Sequence, residues 1–184
     1  DHFEEVVPYY LYLVPGLEFV DEQIDMYERQ FGFKVTQLPH PSLHRWLNGM
    51  IWQPPQNCAV IEDAGLPEFD YTDIQAAMVG KFGLPKDTLV ADGVRAADSP
   101  MRRIAIKSHG SISYNLLKYH PIWDWKKADL VACFKRHNVK LGSDYKVFGR
   151  SFDGLDLRFL LPIKKHYPRD YQRILELIPL ADLE

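Results

Sequence analysis

From Val6 to Val14 the chain is apolar at every position (Val-Val-Pro-Tyr-Tyr-Leu-Tyr-Leu-Val). A run without polar alternation predicts a strand buried on both faces, as parallel strands between helix layers are. Pro8 falls near its start, where a missing donor costs least, and Pro15-Gly16 ends it. From Leu17 to Phe31 the period changes. Leu17, Val20, Ile24, Tyr27 and Phe31 recur at steps of three and four, which predicts an amphipathic helix closed by Gly32. Phe33 to Leu38 predicts a second strand. Strand, helix and strand in that order imply a right-handed crossover and a parallel sheet.

Beyond this point the pattern is less regular. Pro41 to Trp52 predicts a short helix, carried by Leu43, Trp46, Leu47, Met50 and Ile51 and broken at Pro54-Pro55. Residues 56–71 read as a loop or an insertion. A helix from Thr72, its expected N-cap, runs to Phe82 ahead of Gly83, and a strand follows from Thr88 to Val94. Asp124 to His137 predicts another helix, with Asp124 as N-cap and Leu130, Val131, Cys133 and Phe134 on or near its apolar face. Asn138 to Gly154 reads as a loop carrying Gly142, Gly149 and Gly154. The last helix opens at Pro168, presents Tyr171, Ile174, Leu175 and Ile178, and stops at Pro179. No internal repeat or linker interrupts the chain, so the reading is one α/β domain over residues 1–184.

The 184 residues are 46% hydrophobic, with 10 Phe, 10 Tyr and 4 Trp, enough for a substantial core. A formal net charge of -3 provides no overall basic field, so nucleic acid is not favoured as a partner. Cys58 and Cys133 form no CxxC pair, which argues against zinc, an iron–sulfur cluster or a disulfide framework. No apolar run approaches the roughly 20 residues of a membrane span. The start, Asp1-His-Phe-Glu-Glu, has neither the basic nor the apolar region of a secretion signal. The expected compartment is the cytoplasm.

Chemistry concentrates after the Thr88–Val94 run. Gly93-Val-Arg-Ala-Ala-Asp-Ser-Pro-Met-Arg-Arg103 brings Arg95, Ser99, Arg102 and Arg103 within eleven residues. Guanidinium matches phosphate or sulfate oxygens in bidentate fashion, and open α/β sheets seat ligands at the carboxyl ends of strands. The stretch therefore predicts an anion site, with a nucleotide as first candidate. The plain alternative is an exposed turn in which Arg95 pairs with Asp92 or Asp98. Arg150, Ser151 and Asp153 lie in a Gly-bounded loop, an anion cradle or an ordinary turn. His40 and His44 share i, i+4 spacing, but no third ligand accompanies them and no metal site is expected. Lys164, Lys165, His166, Arg169 and Arg173 form a basic cluster, read as a solvated face or a contact for nucleic acid or an acidic partner.

With these pieces placed, the chain resembles the phosphoadenosine phosphosulfate (PAPS) reductase family, within the wider adenine-nucleotide α-hydrolase or PP-loop ATP pyrophosphatase group. Tyr12-Leu-Val-Pro-Gly-Leu-Glu-Phe-Val20, with the helix that leads to Phe31-Gly-Phe-Lys-Val35, looks like that family's second strand, turn and helix. Gly93-Val-Arg-Ala-Ala-Asp-Ser-Pro-Met-Arg102 is similar to its Gly-hydrophobic-Arg-x-x-Glu/Gln-Ser-x-x-Arg loop, with Asp98 where an acid or amide is usual. His120-Pro-Ile-Trp-Asp-Trp125 looks like its Pro-hydrophobic-x-Asp-Trp element, and Phe148-Gly-Arg-Ser-Phe-Asp-Gly154 falls where it has a loop near the nucleotide. The likeness covers about residues 7–155. It implies a three-layer domain with a mainly parallel sheet flanked by helices, lacking the first β-loop-α unit. It also implies an adenine nucleotide, ATP or PAPS, with Mg²⁺ accompanying it. The binding residues so implied are Gly93, Arg95, Ser99, Arg102, Arg103, Arg150 and Ser151, in a site shaped by Gly16, Glu18, Asp124, Trp125 and Asp153.

Two departures bear on activity. Family members begin with a strand and a Ser-Gly-Gly-x-Asp-Ser PP-loop, which has no counterpart here; residue 1 falls just before the second strand. The expectation is a degenerate protein, or a first unit supplied by an upstream segment, a second copy or a partner chain that covers the open sheet edge. The tail Ile178-Pro-Leu-Ala-Asp-Leu-Glu184 lacks the family's Glu-Cys-Gly-x-His motif, so thiol-dependent PAPS reduction is not expected and no catalytic residue is assigned. The leading reading is a nucleotide-binding protein with sulfotransfer or ATP α-phosphate chemistry. The alternatives are an inactive binding or regulatory module of phage or mobile-element type, and a subunit of a nucleic-acid sulfur-modification system.

Overall fold

The computed structural model describes residues 5–183, so residues 1–4, part of the stretch read for a secretion signal, and residue 184 lie outside it. The first elements are β1 (Tyr9–Tyr12), α1 (Glu18–Phe31), β2 (Thr36–Pro39), α2 (Pro41–Asn48) and α3 (Pro55–Ala64). Next come α4 (Tyr71–Phe82), β3 (Val90–Ala91), α5 (Pro100–His109), β4 (Ile112–Ser113), β5 (Lys118–Tyr119) and α6 (Lys127–Arg136). The chain closes with α7 (Ser143–Val147), α8 (Leu157–His166), α9 (Pro168–Leu177) and a 3₁₀ turn, Pro179–Leu183. These α/β elements gather into two compact units. Unit 1 joins Asp1–Phe69 to Leu141–Glu184, and unit 2 is Asp70–Lys140.

Unit 1 is built on the β–α–β crossover that the apolar pattern predicts. β1 and β2 pair in parallel, Tyr9 opposite Thr36 through Tyr12 opposite Pro39. The buried stripe of α1, Phe19, Val20 and Ile24, packs into one core with Phe159, Leu160 and Ile163 of α8 and with Tyr171 and Ile174 of α9. At its centre Phe19 meets Phe152 and Phe148 edge-on, at 5.2 and 5.9 Å between ring centroids, and Phe159 meets the same two rings at 5.5 and 5.3 Å. Buried Gln53 ties the turn between α2 and α3 to the carboxyl end of α9, donating to the Leu177 carbonyl at 2.8 Å.

Unit 2 has a thinner interior, with Ile74, Met78 and Ile106 as its buried apolar side chains among the described residues. Asp70 and Asp73 cap α4 reciprocally: Asp70 accepts from the Thr72 amide at 2.7 Å, and Asp73 from the Asp70 amide at 2.8 Å. The buried Gln75 side chain donates to the Thr88 carbonyl at 2.8 Å and fixes the approach to β3. β3 pairs in parallel with β5, which pairs antiparallel with β4.

Several expectations are corrected here. The strands divide into a two-stranded sheet in unit 1 and a three-stranded sheet in unit 2 rather than one mainly parallel sheet, since the chain builds each unit around its own strands, and β3, β4 and β5 are only two residues long. The run Thr88–Val94 is cut short where Asp92 turns the chain, its carboxylate accepting from the Val94 amide at 3.0 Å. Residues 56–71 contain α3, since Pro55 sits at a first-turn position where no amide is needed and starts a helix instead of breaking one. Asp70, not Thr72, caps α4. Asp124 is not an N-cap: two successive turns, Trp123 N to His120 O at 3.2 Å and Trp125 N to Ile122 O at 3.0 Å, delay α6 until Lys127. The Asn138–Gly154 stretch holds α7.

Candidate functional site

Because β3 and β5 run in parallel, the chain leaves both at the same end of their sheet. Asp92 follows one strand and His120 the other, and Asp92 Oδ1 lies 2.5 Å from His120 Nδ1. Four residues further on, the Ala96 amide donates to the Trp123 carbonyl at 2.7 Å. The two stretches singled out in sequence, 93–103 and 120–125, are thus laced together at a strand carboxyl end. A Cβ on Gly93 would meet nothing within 4 Å, so the loop there borders open space.

The arginine stretch is a loop followed by a helix, not a loop throughout. Ser99 caps α5 by accepting from the Arg102 amide at 3.2 Å, and Pro100 opens the first turn. Arg102 and Arg103 are therefore carried on a helix. Asp98 holds the centre. Its Oδ1 accepts from Arg95 Nη2, and its Oδ2 accepts from Arg102 Nη1 at 3.1 Å. Partial burial pushes the Asp98 carboxyl up, but the hydrogen bonds and charge of Arg95, with the charge of Arg102, prevail and hold it below the usual carboxylate range. The Arg95 side chain is only 17% exposed, and its Nη1 is buried without an acceptor among the described residues. Arg103 is exposed. Asp124 is exposed and Trp125 half-buried in the turns that precede α6.

The remaining site expectations fall in unit 1. Gly16 turns the chain with φ 68°, and its carbonyl accepts from Arg173 Nη1. The amides of Glu18 and Phe19 donate to the two carboxylate oxygens of Asp170 at 2.7 and 3.1 Å. The amino end of α1 is thereby closed by the protein's own anion. Arg150 pairs with Asp153 at 2.5 Å, and Ser151 lines an aromatic cavity. The basic cluster near the last helix is partly engaged in surface contacts within unit 1, with Lys164 on Asp182 at 2.8 Å and Arg173 on the Gly16 carbonyl. His40 accepts from the Ser42 amide at 2.9 Å as the N-cap of α2, and Phe69 stacks edge-on against His44. The His120–Asp92 pair, Asp144 and Asp170 escape a reading of the sequence. For the first, position was a usable signal, since both residues directly follow strands.

The cavity belongs wholly to unit 1 and has a volume of about 380 Å³. Burial, then the carboxylates of Asp144 and Asp21, push the Tyr10 hydroxyl on its wall up to about 12. An ordinary tyrosine ionises near pH 10, so below pH 10 both folded and unfolded chains keep this proton and the fold loses nothing. Between pH 10 and about 12 the unfolded chain releases it while the folded chain does not, and stability falls. Comparing wild type with Tyr10→Phe in urea melts at pH 9 and pH 11.5 is expected to show about 2 kcal/mol less alkaline loss in the variant. Equal losses would contradict a buried Tyr10 hydroxyl.

Charge is segregated along the chain. Unit 2 carries twelve Lys and Arg against seven Asp and no Glu, a net of +5. Unit 1 carries ten Lys and Arg against eighteen Asp and Glu, a net of -8. The near-neutral total of -3 hides both. Among the described residues no group of three His, Cys, Asp or Glu side chains is placed to hold a metal, and no helix is long and apolar enough to cross a membrane. No model of a known protein family, no curated protein and no solved structure matches this chain.

Proposed function

We propose that this chain is a cytoplasmic adenine-nucleotide-binding protein of PAPS reductase-like descent, a diverged adenine-nucleotide α-hydrolase fold, which seats phosphate or sulfate beside Arg95, Ser99, Arg102 and Arg103. One observation carries the reading. Two guanidinium groups, one from the loop after β3 and one from the first turn of α5, close on a single carboxylate, Asp98. A carboxylate gripped in this way stands where a phosphoryl or sulfuryl group would be gripped. The orphaned Arg95 Nη1 supports it further, since an unmet buried donor costs about 1–3 kcal/mol and an oxyanion would satisfy it. Mg²⁺ enters with the nucleotide, as the counter-ion of its phosphates. Asp98 then acts as an internal competitor that the ligand displaces.

Calorimetry with ATP, AMP and PAPS, each with Mg²⁺, tests this on wild type, Asp98→Asn and Arg102→Ala. Removing the competing charge is expected to tighten binding about fivefold, which corresponds to about 1 kcal/mol, and Arg102→Ala to weaken it about tenfold. Absence of binding to all three nucleotides by both wild type and Asp98→Asn would sink the reading. Turnover of ATP or PAPS separates an enzyme from an inactive regulatory module. The charge segregation favours a second reading, a nucleic-acid-modification subunit whose basic unit 2, with exposed Trp123 and Tyr114, contacts single strands. In that case a single-stranded oligonucleotide outcompetes the nucleotides, with an affinity that falls steeply with salt.

A further inference from the structure

We propose that the aromatic cavity of unit 1 binds a small organic cation, an ammonium or amidinium group on an apolar body, with Asp144 as its counter-charge. A volume of about 380 Å³ is within the range of small-molecule sites, which run from about 300 to 1,000 Å³. Tyr10, Tyr27, Phe31, Phe33 and Phe152 supply much of the wall, and aromatic faces attract cations through their quadrupole. Asp144, also on the wall, is only 3% exposed.

Backbone amides alone hold this carboxylate among the described residues. Its Oδ1 accepts from the Tyr145 amide at 2.8 Å and its Oδ2 from the Phe152 amide at 3.3 Å. Each oxygen keeps a lone pair to spare, and none of the ion pairs among the described residues involves it. A buried carboxylate without a counter-ion is costly, and an aromatic recess next to it offers a place for one. The clamp role, pinning residue 152 to α7, explains the two amides but not the aromatic wall. The net charge of -8 on unit 1 further favours a positive ligand. Tyr27, whose hydroxyl accepts from the Gly142 amide at 3.2 Å, also lines the cavity.

Benzamidine is the probe, titrated into the full chain by calorimetry with neutral benzyl alcohol as its control. Saturable binding near 0.1–1 mM, on the order expected for so small a ligand, and at least tenfold weaker binding of benzyl alcohol are the expected results. Asp144→Asn is expected to erase that preference. Ser151→Phe, a change at an exposed position on the wall that leaves the carboxylate in place, is expected to block the cavity and abolish binding, which keeps the test decisive if Asp144→Asn fails to fold. The proposal is overturned by no benzamidine binding, by equal affinity for benzyl alcohol, by binding that survives Ser151→Phe, or by adenosine displacing benzamidine from the site. None of these outcomes depends on whether unit 2 binds a nucleotide.

Discussion

Phe159→Ala is expected to destabilise unit 1 by about 3–5 kcal/mol, the largest single loss anticipated for this chain. Phe159 is fully buried and sits edge-on to both Phe148 and Phe152, which in turn flank Phe19 of α1. Truncation removes the apolar contact, the edge-to-face pairing and the packing of α8 on its neighbours at once, and leaves a hole that close-packed rings cannot collapse around. For a chain of this length the loss corresponds to a fall in melting temperature of roughly 10 °C. Phe159→Leu keeps most of the volume and should cost less than half as much. Urea melts followed by circular dichroism read the difference; a loss below about 1 kcal/mol for the alanine variant would mean that the ring is not the keystone of this core.

Asp170→Ala is expected to cost about 2–4 kcal/mol by a different route. Leu17, at the N-cap position of α1, has no side chain able to accept a hydrogen bond. The acceptor comes instead from α9, 152 residues away, where the Asp170 carboxylate is 1% exposed and takes the amides of Glu18 and Phe19. Alanine leaves both donors unmet at the positive end of a fourteen-residue helix. Asp170→Asn keeps one oxygen and loses the charge, so an intermediate loss is expected. Hydrogen exchange at the Glu18 and Phe19 amides is the specific readout. Unchanged protection there in Asp170→Ala would show that something other than this carboxylate caps the helix.

Local pattern carried the crossover of unit 1 well. Apolar spacing at three and four residues marks α1 to its last residue, and Gly32 follows in the left-handed conformation a helix end needs. It failed where a residue type has two meanings. Pro55 and Pro100 were available as breakers or as first-turn residues, and both open helices. Pro162 lies inside α8, where the surrounding Phe159, Leu160 and Ile163 are buried deeply enough to hold the helix through a missing amide. The candidate site was legible in part. Arg95 and Arg102 meet on Asp98, which is the turn-pairing alternative weighed from the sequence, while Ser99 is spent on capping α5. The charge asymmetry was present in the composition but invisible until the units were known.

The sequence by itself determined the elements whose cause is local: an amphipathic helix following an apolar strand, glycine-closed helix ends, and an arginine-rich stretch behind a strand. Only the tertiary structure decided which carboxylate meets which donor. Asp98 sits between Arg95 and Arg102, Asp92 meets His120 across a parallel pair, Asp144 faces an aromatic recess, and Asp170 caps a helix from the far end of the chain. Periodicity arises from neighbours on one helix or strand and so leaves a trace along the chain. A carboxylate's partner is fixed by chain closure and by exclusion of water, and neither is written at the positions of the residues involved.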